Sequence, residues 1–395
     1  AVCFVCHSSA RTPICRIDFF IFLIGVRVLY QALYRKWRPM SFDDVVSQPH
    51  ITTTLKNQIK SGKTAHAYLF TGSRGTGKTT CARIFAKAIN CLDPHDGEPC
   101  LECEICKDAD NGTLSDIIEI DAASNSKVDD IRELREGVVY TPERCKYKVY
   151  IIDEVHMLSA GAFNALLKTM EEPPPHVKFI LATTEIHKVP ATIVSRCQHF
   201  DFHRIRNEDI VSRLMYIASQ EGFTLHEDAA GMIARLSDGG MRDALSLLDQ
   251  CVAYENDITL DVVSSASGIA GRDYLFDILE KIAEKDAAGA LRVVDKLYDM
   301  SKDLKVLAGE LLAQMRNVMI IKTIDNNKDL ITCLPDEYER LKALAERMKL
   351  DEILGDINTL QECSERFAKS TSKRIELEMC IIKLCGAAQK AGATA

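Results

Sequence analysis

The stretch Phe70-Thr71-Gly72-Ser73-Arg74-Gly75-Thr76-Gly77-Lys78-Thr79-Thr80 limits what this chain can fold into more than any other. It fits G-x-x-x-x-G-K-[ST], with Gly72, Gly77, Lys78 and Thr79 in the fixed places. The glycines let the backbone curl so that successive N–H groups of Gly72 to Thr80 point at phosphate oxygens. The helix that follows adds the favourable end of its dipole. Lys78 reaches the β- and γ-phosphates, and the Thr79 hydroxyl holds Mg²⁺. The flanks agree: Ala67-Tyr68-Leu69-Phe70 reads as an apolar strand, and Cys81 to Ile89 has helical spacing. ATP with Mg²⁺ is the expected ligand.

A P-loop needs a parallel sheet behind it, and the sequence supplies one. Residues 116–120, 148–152 and 177–182 read as strands, with 198–202 as a last one. The runs at 148–152 and 177–182 are apolar throughout, as in strands buried on both faces. They alternate with helices at 50–61, 127–138 and 163–170, which means an α/β parallel sheet. After His203 strand patterns stop. Helices are expected at 207–221, 227–237 and 241–254, and from about Gly268 the chain reads as helical, with apolar residues at i, i+3 and i+4.

The length of 395 residues calls for two or three domains. The expected division is an α/β ATPase domain at 30–204 carrying a cysteine module at 91–106, a helical lid at 205–268 and a helical domain at 269–385. Residues 386–395 read as the start of a linker. Residues 1–29 look foreign to the rest: their apolar run is too short to cross a membrane, and Cys3-Phe4-Val5-Cys6-His7 matches a haem pattern with no haem domain after it. They are left out of the fold argument. Residues 30–46 read as an extended arm, basic and then acidic. A net charge of −8 argues against a broadly basic nucleic-acid coat and leaves room for a local patch.

Val149-Tyr150-Ile151-Ile152-Asp153-Glu154 supplies the second half of an ATPase site. Asp153 at the end of a buried strand meets the Mg²⁺ shell, and Glu154 polarises the attacking water. Cys91, Cys100, Cys103 and Cys106 are spaced x8, x2, x2, which closes a tetrahedral Zn²⁺ site with no open position. A [4Fe–4S] cluster also takes four cysteines, but nothing nearby suggests electron transfer, so structural Zn²⁺ is preferred. The scattered remaining cysteines read as reduced thiols of a cytoplasmic protein. Spacing alone leaves three residues open. Thr184 either caps a turn or senses the γ-phosphate. Arg196 either pairs on the surface or reaches a neighbouring subunit's phosphate. Arg242 either solvates a helix start or touches the nucleotide in cis.

From Tyr30 onward the chain resembles the gamma/tau family of bacterial DNA polymerase III, the AAA+ motors of the sliding-clamp loader. The resemblance is carried by Tyr34-Arg35-Lys36-Trp37-Arg38-Pro39, the P-loop, the four cysteines, Ile120-Asp121-Ala122-Ala123-Ser124 and Lys148 to Leu158. It continues through Phe163 to Pro173, Ala182-Thr183-Thr184, Val189 to Ile193, Ser195-Arg196-Cys197 and Met241 to Leu247. It covers the first two domains almost fully and the third more thinly. The resemblance implies that Thr184 is sensor 1, Arg196 an arginine finger acting in trans and Arg242 sensor 2. It implies that Arg38, Pro39 and Val46 surround the adenine, and that Lys127 and Lys168 face template-strand phosphates. It further implies a DNA-stimulated ATPase without polymerase activity, working in a partial ring with copies of itself and delta- and delta-prime-type subunits. The third domain is then the collar that joins subunits, and the ring loads a sliding clamp on primer–template DNA. Two rivals are a non-hydrolysing scaffold subunit and a branch-migration remodeller with the same core.

Overall fold

The computed structural model describes residues 30–386 except 125–130, 132, 133, 135, 269–272, 326–329, 332, 334, 368, 369 and 371. The expected helix at 127–138 thus lies partly outside the described residues, and Lys127 wholly so.

Five strands form one sheet: β1 Ala67–Gly72, β2 Ile117–Asp121, β3 Lys148–Asp153, β4 Val177–Thr183 and β5 Gln198–Phe202. Their spatial order is β2-β3-β4-β1-β5, and every neighbouring pair is parallel. All residues of β4 and most of β1 and β3 are buried, which is why these strands carry no polar alternation. Alternate side chains go to opposite faces and meet different helices. Leu69, Tyr150, Ile152, Phe179 and Leu181 pack with Phe163, Leu166 and Met170 of helix α5, Ala160–Glu171. Tyr68, Phe70, Val149, Ile151 and Ile180 pack on the other face with Ile84 and Phe85 of α3, Lys78–Asn90, and with Ile51 and Leu55 of α2, Pro49–Ser61. The cysteine module runs into α4, Glu104–Asn111, and a short α6, Ala191–Val194, leads into β5.

Two local expectations are corrected. The arm is not wholly extended: Leu33–Lys36 makes one helical turn, α1. Leu33, with Tyr34, Trp37 and Val46, packs into the helical cluster that follows the sheet, so apolar side chains on an otherwise charged segment find a tertiary partner. Strand pairing also recurs after His203, where Thr224–Leu225 and Asp257–Ile258 form a two-stranded parallel pair too short to show a period.

The next cluster is built by α7 Asn207–Glu221, α8 Glu227–Leu236, α9 Met241–Tyr254 and α10 Leu260–Ala266. A third unit comprises α11 Asp273–Ala283, α12 Ala287–Asp299, α13 Leu304–Thr323, α14 Pro335–Arg347, α15 Leu350–Arg366 and α16 Lys373–Leu384 around one apolar core. Among the described residues no helix is long and apolar enough to cross a membrane.

Candidate nucleotide site

Ligands of open parallel sheets bind beyond the carboxyl ends of the strands. Here β4 lies between β1 and β3, so the P-loop after β1, the acidic pair after β3 and Thr184 after β4 converge. The Thr79 hydroxyl donates to Asp153 Oδ2 at 2.7 Å. The Thr184 N–H and hydroxyl both donate to Glu154 Oε2, at 3.3 and 3.0 Å. Glu154 takes a left-handed φ of 47°, a costly conformation for a residue with a Cβ and one that turns its carboxylate out of the strand's line. Lys78 donates to the carbonyls of Gly72 and Ser73 at 2.8 and 2.7 Å. The Thr76 hydroxyl also donates to the Ser73 carbonyl, at 2.9 Å.

The electrostatics follow from burial. Lys78 is 6% exposed, and burial lowers its pKa while the charges of Glu154 and Asp153 oppose that. Burial raises the pKa of Asp153, against the hydrogen bonds from Thr79 and the Glu154 N–H. Arg38 is lowered chiefly by burial. A low-dielectric pocket with cations on one side strengthens each contact to a polyphosphate.

A cavity of about 420 Å³ opens beside the loop. Arg74, Gly75, Thr76, Gly77, Lys78, Thr79 and Thr80 line it, facing Asp153 and Glu154. Arg38, Pro39 and Val46 from the arm form another wall, and Arg242 enters from α9. Sequence reasoning missed Tyr34, Trp37, Asp44, Val45, Ile205, Arg213, Met241 and Leu245, which also line it. Arg242 Cζ lies 5.1 Å from the Tyr34 ring centroid, and Arg213 Cζ lies 5.8 Å from that of Trp37. Nothing in the sequence marks Arg213, since an Arg on an amphipathic helix reads as solvated.

Two glycines bring the P-loop and the start of α9 into close contact. Gly75 has φ +78°, and a Cβ there would sit 3.0 Å from Gly240 Cα. Met241 N–H donates to the Gly75 carbonyl at 3.0 Å, so the start of α9 rests directly on the P-loop.

Neither Thr184 nor Arg196 is among the residues lining the cavity. Thr184 contacts Glu154 instead. Arg196 pairs with Glu171 and donates to the Thr192 carbonyl, both at 2.8 Å. Lys168 is exposed near the end of α5.

The four cysteines do come together, with all four Sγ atoms within 4.8 Å of one another. Cys91–Cys103, Cys100–Cys106 and Cys106–Cys91 separations are 4.0, 4.0 and 3.7 Å. A tetrahedral Zn²⁺ with Zn–S bonds of about 2.3 Å needs S–S edges of roughly 3.8 Å, so the donor set fits. Burial works to raise the Cys103 thiol, but N–H groups of Leu92 and Cys106, with the thiols of Cys106 and Cys100, outweigh it and bring it down to about 7. Burial raises the thiols of Cys91 and Cys106, so a metal must displace their protons to be held by all four.

Three family models match in succession. Residues 47–206 match the DNA polymerase III delta subunit. Residues 209–257 match the ATPase lid domain of the DNA polymerase III clamp loader subunit, and residues 258–393 match domain III of the gamma and tau subunits. DNA polymerase III subunit tau of Bacillus subtilis is 44% identical over 92% of this chain and 65% of its own length. The gamma subunit of Buchnera aphidicola subsp. Schizaphis graminum is 40% identical over 80% of this chain and 87% of its own. For subunit tau/gamma of Haemophilus influenzae the figures are 39%, 90% and 51%. This chain therefore spans about half to two thirds of the length of the longer relatives. Among solved structures, the Thermotoga maritima RuvB Holliday junction branch migration motor is similar over 63% of this chain and 80% of that one. Its identity is 20% and its TM-score 0.46.

Proposed function

The chain belongs to the gamma and tau family of DNA polymerase III subunits, and from that premise we propose that it is an ATP-driven motor of a clamp loader. One observation carries the reading. Thr79 meets Asp153 and Thr184 meets Glu154 at adjacent strand ends, beneath a helix that touches the P-loop through Gly75.

The roles divide as follows. The loop from Gly72 through Ser73, Arg74, Gly75, Thr76 and Gly77 to Thr80 cradles the phosphates, with Lys78 on the β- and γ-positions. Thr79 and Asp153 would hold Mg²⁺, which neutralises phosphate charge when bound. Glu154 orients and polarises the attacking water, and Thr184 holds Glu154 in place. Arg38, Pro39 and Val46 wall the adenine. Arg242 contacts the phosphates in cis, and Arg196 contacts those of a neighbouring subunit in trans. Cys91, Cys100, Cys103 and Cys106 would hold a structural Zn²⁺.

Residues 30–204 then form the AAA+ ATPase domain, 205–268 the lid, 269–385 the collar and 386–395 the start of a linker. The chain works in a cytoplasmic partial ring with copies of itself and delta- and delta-prime-type subunits, at replication forks on the nucleoid. ATP binding holds a spiral that opens the sliding clamp. The ring grips primer–template DNA through phosphates without reading bases, with Lys168 and Lys127 on that face. Hydrolysis releases the closed clamp.

The test is Arg196→Ala in the assembled loader with clamp and primed DNA. DNA-stimulated hydrolysis is expected to fall by about 10³-fold while nucleotide binding to the isolated chain is unchanged. Undiminished stimulated hydrolysis would exclude the interfacial mechanism. High activity of the chain alone, indifferent to clamp and DNA, would favour a remodeller.

A further inference from the structure

One side chain of the cysteine module reaches out of it. Glu98, two residues before Cys100, accepts the Phe42 N–H through Oε2 at 2.8 Å and the Asp43 N–H through Oε1 at 3.1 Å. Lys56 bridges the Glu98 and Asp43 carboxylates. A small hairpin holds Glu98 in place, with His95 and Glu98 exchanging backbone hydrogen bonds at 3.1 and 2.8 Å. Its Gly97, at φ +83°, lies so close to α2 that a Cβ would sit 2.6 Å from the Lys56 carbonyl oxygen.

The segment held this way is the strap that walls the nucleotide cavity. Arg38 and Pro39 line the cavity before the pinned residues, and Asp44, Val45 and Val46 line it after them. Phe42 is buried at 2% exposure as the anchor between. The module has a second strut. Asp110, in the helix that begins after Cys103, pairs at 2.7 Å with Lys87, whose side chain is 3% exposed. Lys87 belongs to α3, the helix that opens with Lys78.

We propose that the cysteine module sets the base wall of the nucleotide cavity against its phosphate loop, with Glu98 as the positioning residue that ties the strap to the four-cysteine cluster. The inference rests on the nucleotide reading of the cavity. Two N–H donors on one carboxylate order the strap in advance, so that ordering is not charged to the nucleotide at binding. Only ligands that carry a base use that wall. A bare diphosphate uses the P-loop alone.

The experiment compares ADP with inorganic pyrophosphate by calorimetry on the whole chain. Glu98→Ala is expected to weaken ADP about tenfold, equivalent to about 1.4 kcal/mol. Pyrophosphate affinity should change less than about twofold, and bound zinc should stay at its wild-type ratio. Glu98→Gln keeps one carbonyl acceptor and should fall between. Stripping the metal from the wild-type chain with a chelator should reproduce the ADP-selective loss. Trp37, the single tryptophan, lines the cavity and should shift its emission in Glu98→Ala.

Unchanged ADP affinity in Glu98→Ala, or equal loss of both ligands, would overturn the proposal. So would ADP affinity that survives metal removal. Lys78→Ala tests the premise separately and must lose both ligands. If it loses neither, the cavity is not the nucleotide site and the inference falls with that reading.

Discussion

At the carboxyl edge of the sheet the buried side chains include Thr71, Thr76, Lys78 and Thr183, each with a partner. Along the helices from Asp273 to Leu384 the buried set among the described residues is almost wholly apolar, with Gln314, Asn317 and Asp356 as its polar members. The outer faces do not share this contrast: Leu92, Val139, Tyr140 and Met157 are exposed on the sheet unit, and Val306, Ile324, Leu354, Ile375, Met379 and Ile382 on the helical one. The sheet unit works from the inside, where those polar groups are tolerated because they are satisfied, although Tyr150 Oη and His66 Nε2 are buried without a hydrogen-bond partner, and strain sits at Glu154. The helical unit has a plain apolar core.

Three perturbations bear on that contrast. The largest effect is expected at Glu154→Gln, which keeps shape and removes the charge proposed above to polarise water. Stimulated ATP turnover should drop by about 10³-fold with nucleotide affinity retained, read by steady-state kinetics and calorimetry. Turnover within tenfold of wild type would mean that the strained carboxylate is not the base. Next is Leu311→Ala, at a fully buried position in the helical core. It should cost about 3 kcal/mol of stability in denaturant unfolding and leave nucleotide binding intact. Loss of nucleotide affinity in this variant would break the separation between the two regions.

The smallest effect concerns Asp356, whose Oδ2 is buried without a hydrogen-bond partner. Burial pushes its pKa up from 3.8 to about 6, with Lys285 opposing and Glu352 adding. The sign is that of an acid whose charged form is disfavoured when folded. Nothing is lost below the unfolded value, and stability is lost progressively as pH rises from 3.8 through about 6. Asp356→Asn should therefore stabilise the chain by about 2 kcal/mol at pH 8 and by roughly half of that at pH 5. A pH-independent change would show that Asp356 is not the titrating group.

Much of this was legible along the chain because its signals are local. A P-loop, a buried strand ending in Asp153-Glu154 and four cysteines at close spacing each require neighbours in sequence, and the structure brings each set together. Helix periods were equally clear, as at Met241–Tyr254, whose bounds coincide with the expected ones. The short α10 at Leu260–Ala266 and the Thr224–Leu225 pair escaped notice because two to seven residues are too few to display a period. The one-turn helix Leu33–Lys36 was hidden by the charges around it.

By itself, then, the sequence determined the phosphate loop, the acidic pair, the metal-ready cysteines and the alternation that builds a parallel sheet. Each depends on spacing within a few residues, which the covalent chain enforces. Tertiary structure alone decided that Tyr34, Trp37 and Arg213 share the nucleotide's wall, that Gly75 meets Gly240, and that Glu98 holds the strap. Those contacts join segments tens to hundreds of residues apart. They exist only because Phe42 is buried in one apolar cluster while Leu33, Tyr34, Trp37 and Val46 pack into another, which fixes the strap between them.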